Sequence, residues 1–189
     1  MSNPSIDAAP SSIDTNTNLR YDSNSIRLHW ATAILVVLLW GIGQIIDFFP
    51  KGEPRVMIRS VHILLGVALA VVLVMRIIWR SNSGRKLPAA EKGLVGLSAK
   101  IVHFGLYLLL IATVALGITN AWMRGDSIFG LFSIPRYPNA DKALRHVIGD
   151  MHGTFADSIM IVAGLHALAA LAHHYLFKDN VLRRMLPWK

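Results

Sequence analysis

The sequence predicts an all-α integral membrane protein, a bundle of four transmembrane helices, and three observations lead to this prediction. The chain of 189 residues is 53% hydrophobic and only 16% charged. Its mean hydropathy of +0.47 lies outside the usual range of soluble domains. Four apolar segments are each long enough to cross a bilayer, which takes about 20 apolar residues in a helix. They leave no room for a second large domain.

The first predicted helix covers residues 26–49. The segment before it, residues 1–24, is polar and has no apolar run, so it is predicted to be a flexible tail. Ser23 or Ser25 is placed to cap the helix, and Pro50 follows its last turn.

The other three predicted helices also have the length of a membrane span. They cover residues 56–79, 97–123 and 147–177, and polar segments with Gly and Pro connect them. The membrane domain therefore takes up residues 25–178, and a basic C-terminal tail, residues 179–189, follows it.

The basic charge of the chain is explained by membrane orientation. The formal net charge is +8, and twelve Lys and Arg residues lie on the side of the two termini against seven on the other side. Basic residues favour the cytoplasmic side of a membrane, so both termini are predicted to be cytoplasmic. No nucleic-acid partner is needed to account for the charge.

Histidines at matched depths predict a cofactor site inside the bundle. Histidine inside a bilayer is costly and usually marks a functional site. His152 and His166 share one face of the fourth helix, about 21 Å apart along its axis. With alternating helix directions, His62 lies level with His152, and His29 lies on the side of His166. These depths predict two b-type haems between the helices, with axial pairs His29/His166 and His62/His152.

Other groups leave alternatives open at this point. The chain contains no cysteine, which excludes iron–sulfur clusters and covalent c-type haem. His103 also lies towards the cytoplasmic side, and His173 shares the face of His166, so spacing alone excludes neither as a ligand. The carboxylate of Asp157, inside the fourth helix, is expected to pair with a basic residue.

Three motifs show a resemblance to a known family. They are RLHW from Arg27, RSVHILLG from Arg59, and the long terminal segment GLHALAALAHHYLFKDNVLRRMLP from Gly164. Through them, residues 21–187 resemble the bacterial cytochrome b561 family. The resemblance implies haem b axial ligands at the four histidines of the two predicted pairs, and not at His103 or His173. It also implies a multi-pass protein of the bacterial cytoplasmic (inner) membrane, surrounded by lipid.

The resemblance further implies a reaction, the oxidation of superoxide on the periplasmic side with reduction of ubiquinone in the membrane. Seven basic residues lie on the outer side, and among them Arg124 and Lys142 are expected to steer superoxide electrostatically. The alternative is that these basic residues neutralise haem propionates and nearby carboxylates. At the cytoplasmic end, His173 and His174 are expected to contact the quinone.

Two other functions fit the same sequence features. A cytochrome b electron-transfer subunit, linking a partner dehydrogenase or hydrogenase to quinone, would use the same arrangement of two haems and require its redox partner protein. A haem-free transporter or channel would use the histidines and Asp157 for protons or a metal ion, and the purified protein would be colourless.

Overall fold

Four long helices make up most of the protein. The computed structural model describes residues 20–88, 93–138 and 141–187. Of the tail predicted for residues 1–24, residues 1–19 lie outside the described residues. The helices are α1 (Ser23–Ile45), α2 (Glu53–Asn82), α3 (Gly93–Arg124) and α4 (Lys142–Tyr175). Short 3-10 helices follow α1 and α4, at Ile46–Phe48 and Leu182–Arg184, and a small antiparallel hairpin of β1 (Ser127–Ile128) and β2 (Phe132–Ser133) follows α3.

All four helices are long and apolar enough to span a membrane. In their most apolar stretches only 6–11% of the residues are buried inside the protein. Most apolar side chains therefore point outwards, where lipid rather than water is the solvent in which they are stable. The predicted four-helix membrane fold is confirmed.

The helix boundaries differ from the sequence-based expectation where caps were misjudged. The side chain of Asp22, rather than Ser23 or Ser25, caps α1 by accepting a hydrogen bond from the Ser25 amide at 2.9 Å. The side chain of Asp141 accepts a bond from the Ala143 amide, so α4 begins at Lys142 rather than at residue 147. In each case a carboxylate satisfies free N–H groups at the start of a helix.

The bundle consists of two helical hairpins. Helix α1 packs mainly on α2, and α3 mainly on α4. A small apolar core joins the two hairpins, formed by Leu39, Leu69, Leu73, Leu110 and Ile159. We call the end of the bundle where α1 and α3 begin the terminal end, and the opposite end, with the β-hairpin, the hairpin end.

At the terminal end the segment after α4 folds back across the start of α1. The Tyr21 amide donates to the Arg184 carbonyl at 3.2 Å, and Trp30 Nε1 donates to the Met185 carbonyl at 2.8 Å. The Arg184 side chain also donates to the carbonyl of Pro88, in the connection between α2 and α3, at 2.9 Å. Residues from both helical hairpins are thereby fixed at this end.

Asp22 is a second anchor of the terminal end. Besides capping α1, its carboxylate accepts hydrogen bonds from Trp79 Nε1 at 2.8 Å and from the Arg85 amide at 3.0 Å. Partial burial would by itself raise the pKa of this carboxyl, but the hydrogen bonds from the Arg85 and Ser25 amides and from Trp79 lower it well below its ordinary value. Asp22 therefore ties α2 to the start of α1 in its ionised form.

At the hairpin end the β-hairpin is attached to α2 through Ser60, which is completely buried. The Ser60 hydroxyl donates to the Val56 carbonyl at 2.7 Å and accepts a bond from the Phe129 amide at 2.8 Å. Phe129 has a positive φ of 52°, which turns the chain between the two short strands. This contact holds the hairpin over the ends of the helices.

Candidate functional site

His62 and His152 face each other between α2 and α4 near the hairpin end. Their ring centres are 6.2 Å apart and their planes lie at 78°. Nδ1 of His152 lies 3.0 Å from the Thr113 carbonyl of α3. Since a carbonyl only accepts, Nδ1 carries the proton and Nε2 is left with a free lone pair. Nδ1 of His62 is buried and has no hydrogen bond of standard geometry with any described residue, although the Leu39 carbonyl lies in its neighbourhood.

The spacing of these two rings is one at which His62 and His152 could together hold a metal ion. A bond between a metal and an imidazole nitrogen is about 2 Å long, so one metal ion would fit between two rings whose centres are about 6 Å apart. The observed separation is 6.2 Å. The carbonyl of Thr113 also fixes the tautomer of His152 in the way that outer partners orient metal-bound histidines.

Glycines lie against both rings of this pair. A Cβ atom at Gly117 of α3 would be 3.0 Å from Cε1 of His152, and one at Gly43 of α1 would be 3.6 Å from Cε1 of His62. The first distance is too short for an ordinary contact, and the second is a normal van der Waals contact. The missing side chain at Gly117 therefore leaves His152 the space it occupies, and the residues present fit a haem, which His62 and His152 would hold.

At the terminal end three histidines gather rather than two. The rings of His103 and His166 are 4.9 Å apart, with planes at 76°. His29 is close enough to both of them for electrostatic interaction. The ring contact at this end is therefore between His166 and His103, and the pairing of His29 with His166 remains a prediction.

Arg76 is a functional candidate that the sequence analysis missed. Its Nη2 lies 3.0 Å from Nδ1 of His29, and its guanidinium carbon lies 5.2 Å from the centre of the Tyr107 ring. An arginine donates only, so Nδ1 of His29 is the acceptor in this hydrogen bond. A charged residue within an otherwise apolar span was the available signal, because such residues are retained for function.

Asp157 has different partners from those expected. Its Oδ1 accepts hydrogen bonds from Trp40 Nε1 at 2.8 Å and from Gln44 Nε2 at 3.2 Å. Both donors belong to α1, so the carboxylate links α4 to α1. The expectation of a basic partner was wrong, because neutral N–H donors lie on the facing helix at the same depth.

The residues expected to contact quinone lie at the end of α4. Nδ1 of His173 is 2.5 Å from Oδ2 of Asp179, and the ring of His174 packs edge-on against Tyr175. Burial would slightly raise the pKa of the Asp179 carboxyl, but hydrogen bonds from His173 and the Val181 amide lower it. The hydrogen bond fixes the His173 ring and leaves its Nε2 available.

The residues expected to steer superoxide lie at the hairpin end. Lys142 is exposed in the first turn of α4. Arg124, at the end of α3, donates to Asp126 Oδ2 from Nε at 3.1 Å and from Nη2 at 2.9 Å. It also interacts electrostatically with His62 and His152. Part of its charge is therefore compensated by Asp126, a partner that the sequence analysis did not identify.

A membrane bundle of four helices, with histidines paired across the helices and glycines against their rings, is typical of membrane proteins that bind haem and carry electrons. Comparison with known proteins agrees, since residues 20–188 match the family described as prokaryotic cytochrome b561. The chain belongs to this family of multi-pass bacterial inner-membrane proteins, which bind b-type haem and transfer electrons.

Named relatives are similar over nearly their whole length. A protein from Yersinia pestis named "Probable superoxide oxidase CybB" is 35% identical over 174 residues, which is 90% of this chain and 97% of the relative. "Cytochrome b561 homolog 2" of Escherichia coli (strain K12) is 32% identical, covering 91% of this chain and 94% of the relative. "Cytochrome b562" of Cereibacter sphaeroides is 30% identical, covering 88% and 94%.

Proposed function

We propose that the protein oxidises superoxide at the outer face of the membrane and reduces ubiquinone nearer the cytoplasm, using two b-type haems. In this proposal His62 and His152 hold the haem at the hairpin end, and His29 and His166 hold the haem at the terminal end. The observation that carries it is the facing pair of imidazoles 6.2 Å apart. The name of the Yersinia pestis relative supports superoxide as the substrate.

The proposed orientation places the hairpin end outside and the terminal end in the cytoplasm. It rests on the twelve Lys and Arg residues of the terminal side against seven on the other. Cytoplasmic segments of inner-membrane proteins carry the excess of basic residues. An electron entering at the hairpin end then moves inwards.

The residues of the chain have distinct tasks in this reaction. Bound haem b supplies the one-electron redox chemistry. The Thr113 carbonyl holds the Nδ1 proton of His152, so that Nε2 is free to ligate. Superoxide gives up one electron and leaves as molecular oxygen. Two such electrons and two protons convert one ubiquinone into ubiquinol.

Basic residues at the hairpin end are proposed to raise the encounter rate with superoxide. Lys142 is the cleaner test, because Arg124 is bonded to Asp126. The second-order rate with superoxide is expected to fall as ionic strength rises, and Lys142→Glu is expected to lower it at low salt with both haem spectra unchanged. A rate that responds to neither salt nor Lys142→Glu contradicts steering.

Quinone is proposed to bind at the terminal end, near His173 and His174. His173 is held through Nδ1 by Asp179, so its Nε2 is free to donate to or accept from a quinone oxygen. Replacing both histidines with Leu is expected to stop quinone reduction while superoxide still reduces the haems. Unchanged quinone reduction in the double variant removes these residues from the site.

The deciding experiment uses the purified chain alone. A pulse of superoxide is mixed with the haem-loaded protein and a soluble ubiquinone analogue, and haem absorbance and quinol are followed together. We expect rapid haem reduction followed by quinol formation, and no quinol with His62→Leu. A protein that holds haem but ignores superoxide supports the role of an electron-transfer subunit with a redox partner. A colourless protein supports a transporter or channel.

A further inference from the structure

Asp126 is a buried carboxylate between two arginines at the hairpin end. Its side chain is 5% exposed, against 23% for Arg59 and 36% for Arg124. Oδ1 accepts from Arg59 Nη1 at 3.3 Å, and Oδ2 accepts from Nε and Nη2 of Arg124 at 3.1 and 2.9 Å. One carboxylate therefore orders two guanidinium groups that come from different helices.

The backbone around Asp126 is also fixed. Its amide donates to the Ala121 carbonyl in the last turn of α3 at 3.2 Å, and its carbonyl accepts from the Ile134 amide at 2.9 Å. Gly125, with φ of 66°, makes the sharp turn between α3 and this residue. The carboxylate is thus held in place by the helix end and the hairpin, independently of the arginines.

The arginines keep unused hydrogen-bond donors. Among the hydrogen bonds of the described residues, Arg59 uses only Nη1 and Arg124 uses only Nε and Nη2. Each guanidinium carries five N–H donors in a planar fork suited to oxyanions and carboxylates. Donors from both side chains therefore remain for a further acceptor.

The cluster also carries a surplus positive charge. Two guanidinium groups face the single carboxylate of Asp126. Asp47 also acts electrostatically on Arg59, but it is 91% exposed and is paired with Arg55. Solvent screens such an exposed charge more than the buried one. A net charge of about one positive unit therefore remains beside the partly buried donors.

The position of the cluster links it to the histidine pair. Arg59 precedes His62 by one turn of α2, and Arg124 interacts electrostatically with both His62 and His152. The surplus charge consequently lies near the two imidazoles.

We propose that Arg59, Arg124 and Asp126 form a binding site for one monovalent oxyanion or carboxylate beside the His62/His152 pair. Asp126 both orients the two arginines and limits their charge, so the anion is held weakly and exchanges quickly. The inference rests on the proposed function only for the identity of the natural anion. The ligand is either a free small anion or a haem carboxylate, which present the same acceptor oxygens.

The test is a titration of haem-loaded protein with nitrate, replacing chloride, which is neither an oxyanion nor a carboxylate, at constant ionic strength. The readouts are the midpoint potential of the haem at the His62/His152 pair and the thermal midpoint of the protein. We expect a saturable nitrate response that is lost in Arg59→Gln and is about tenfold tighter in Asp126→Asn, where one opposing charge is gone. Arg55→Gln removes a neighbouring positive charge outside the cluster and is expected to keep the response.

Each outcome has a defined meaning. When a haem carboxylate occupies the site, we expect no nitrate response. In that case Arg59→Gln shifts the midpoint potential of this haem and Arg55→Gln does not, a result that supports the site. No nitrate response and equal potentials in the two variants overturn it. Should Arg59→Gln fail to fold, Arg59→Lys keeps the charge and loses the fork, and is expected to weaken nitrate binding. Protein without haem contradicts the proposed function, and the thermal titration then still tests the anion site.

Discussion

The two ends of the bundle hold their histidines in different ways. At the hairpin end His62 and His152 form a facing pair, and His152 donates to the Thr113 carbonyl. At the terminal end His29 and its neighbouring histidines lie beside Arg76, whose guanidinium donates to Nδ1 of His29. The same residue type therefore has opposite hydrogen-bonding roles at the two ends.

The difference concerns how far each site is prepared for a ligand. An imidazole that donates from Nδ1 presents a free Nε2, as His152 does, whereas one that accepts at Nδ1 in its neutral form carries its proton on Nε2. In the proposed role of His29 as a haem ligand, its bond with Arg76 would have to be exchanged before Nε2 could ligate. At the hairpin end His152 already presents Nε2, whereas at the terminal end Nδ1 of His29 is occupied by Arg76.

The largest expected effect is the loss of haem from the hairpin end alone. His62→Leu or His152→Leu removes a proposed haem ligand at the hairpin end, so haem bound there is expected to be lost while haem at the terminal end stays. Haem per protein and the low-spin absorbance of the reduced form measure this. Equal loss of all haem from either variant would contradict separate ligand pairs.

A second pair of variants decides which histidine acts at the terminal end. His29→Leu is expected to remove the haem there, and His103→Leu is expected to keep it with a changed spectrum, because the His103 ring lies 4.9 Å from His166. The measurement is again haem content, with the hairpin-end haem as internal standard. The reverse result assigns the ligand to His103.

Glycine replacements test the space around the prepared pair. In Gly117→Ala the new Cβ would lie 3.0 Å from His152, so the ring must move, at a cost of about 1–3 kcal/mol in the free energy of unfolding of the haem-loaded protein. Gly43→Ala is the matched control, since its Cβ would lie at an ordinary 3.6 Å from His62. Equal thermal midpoints for both variants would show that His152 is not confined.

The stability of the terminal end is expected to depend on the hydrogen bonds of Asp22. Asp22→Ala removes the cap of α1 and the bonds to Trp79 and Arg85, and should lower the free energy of unfolding by about 1–2 kcal/mol. Thermal unfolding measures the loss. We expect the spectrum of the haem at the hairpin end to be unchanged, and a change there instead would show that the two ends are coupled.

The smallest expected effect is the pH dependence of the segment after α4. The folded pKa of Asp179 is lowered, so its stabilising contribution is complete above the unfolded value of about 3.9 and is lost as pH falls through the folded pKa. Pepsin should therefore cleave this segment faster as the pH drops below about 4. Asp179→Asn should remove this dependence, and an equally steep dependence in that variant would exclude Asp179 as its cause.

The sequence was sufficient for the four helices and for placing His62 and His152 at one level. Hydropathy gives the length of a span and helical periodicity gives a face, and these led to His62 and His152 at one level. Contacts between distant segments were not accessible in this way. Arg59 and Asp126 are 67 residues apart, and Thr113 contributes only a backbone carbonyl. Such pairs depend on how each helix is rotated and crossed against its neighbours.

Ser60 has a consequence for the order in which the molecule assembles. Its hydroxyl accepts a hydrogen bond of 2.8 Å from the amide of Phe129, which lies 69 residues later in the chain. During synthesis α1 and α2 are made before this partner exists, because chains emerge from the N-terminus. The hydroxyl can satisfy itself meanwhile through the Val56 carbonyl of its own helix. The Ser60 hydroxyl is therefore satisfied before α3 is made, and its contact with the β-hairpin can form only after α3 has been synthesised.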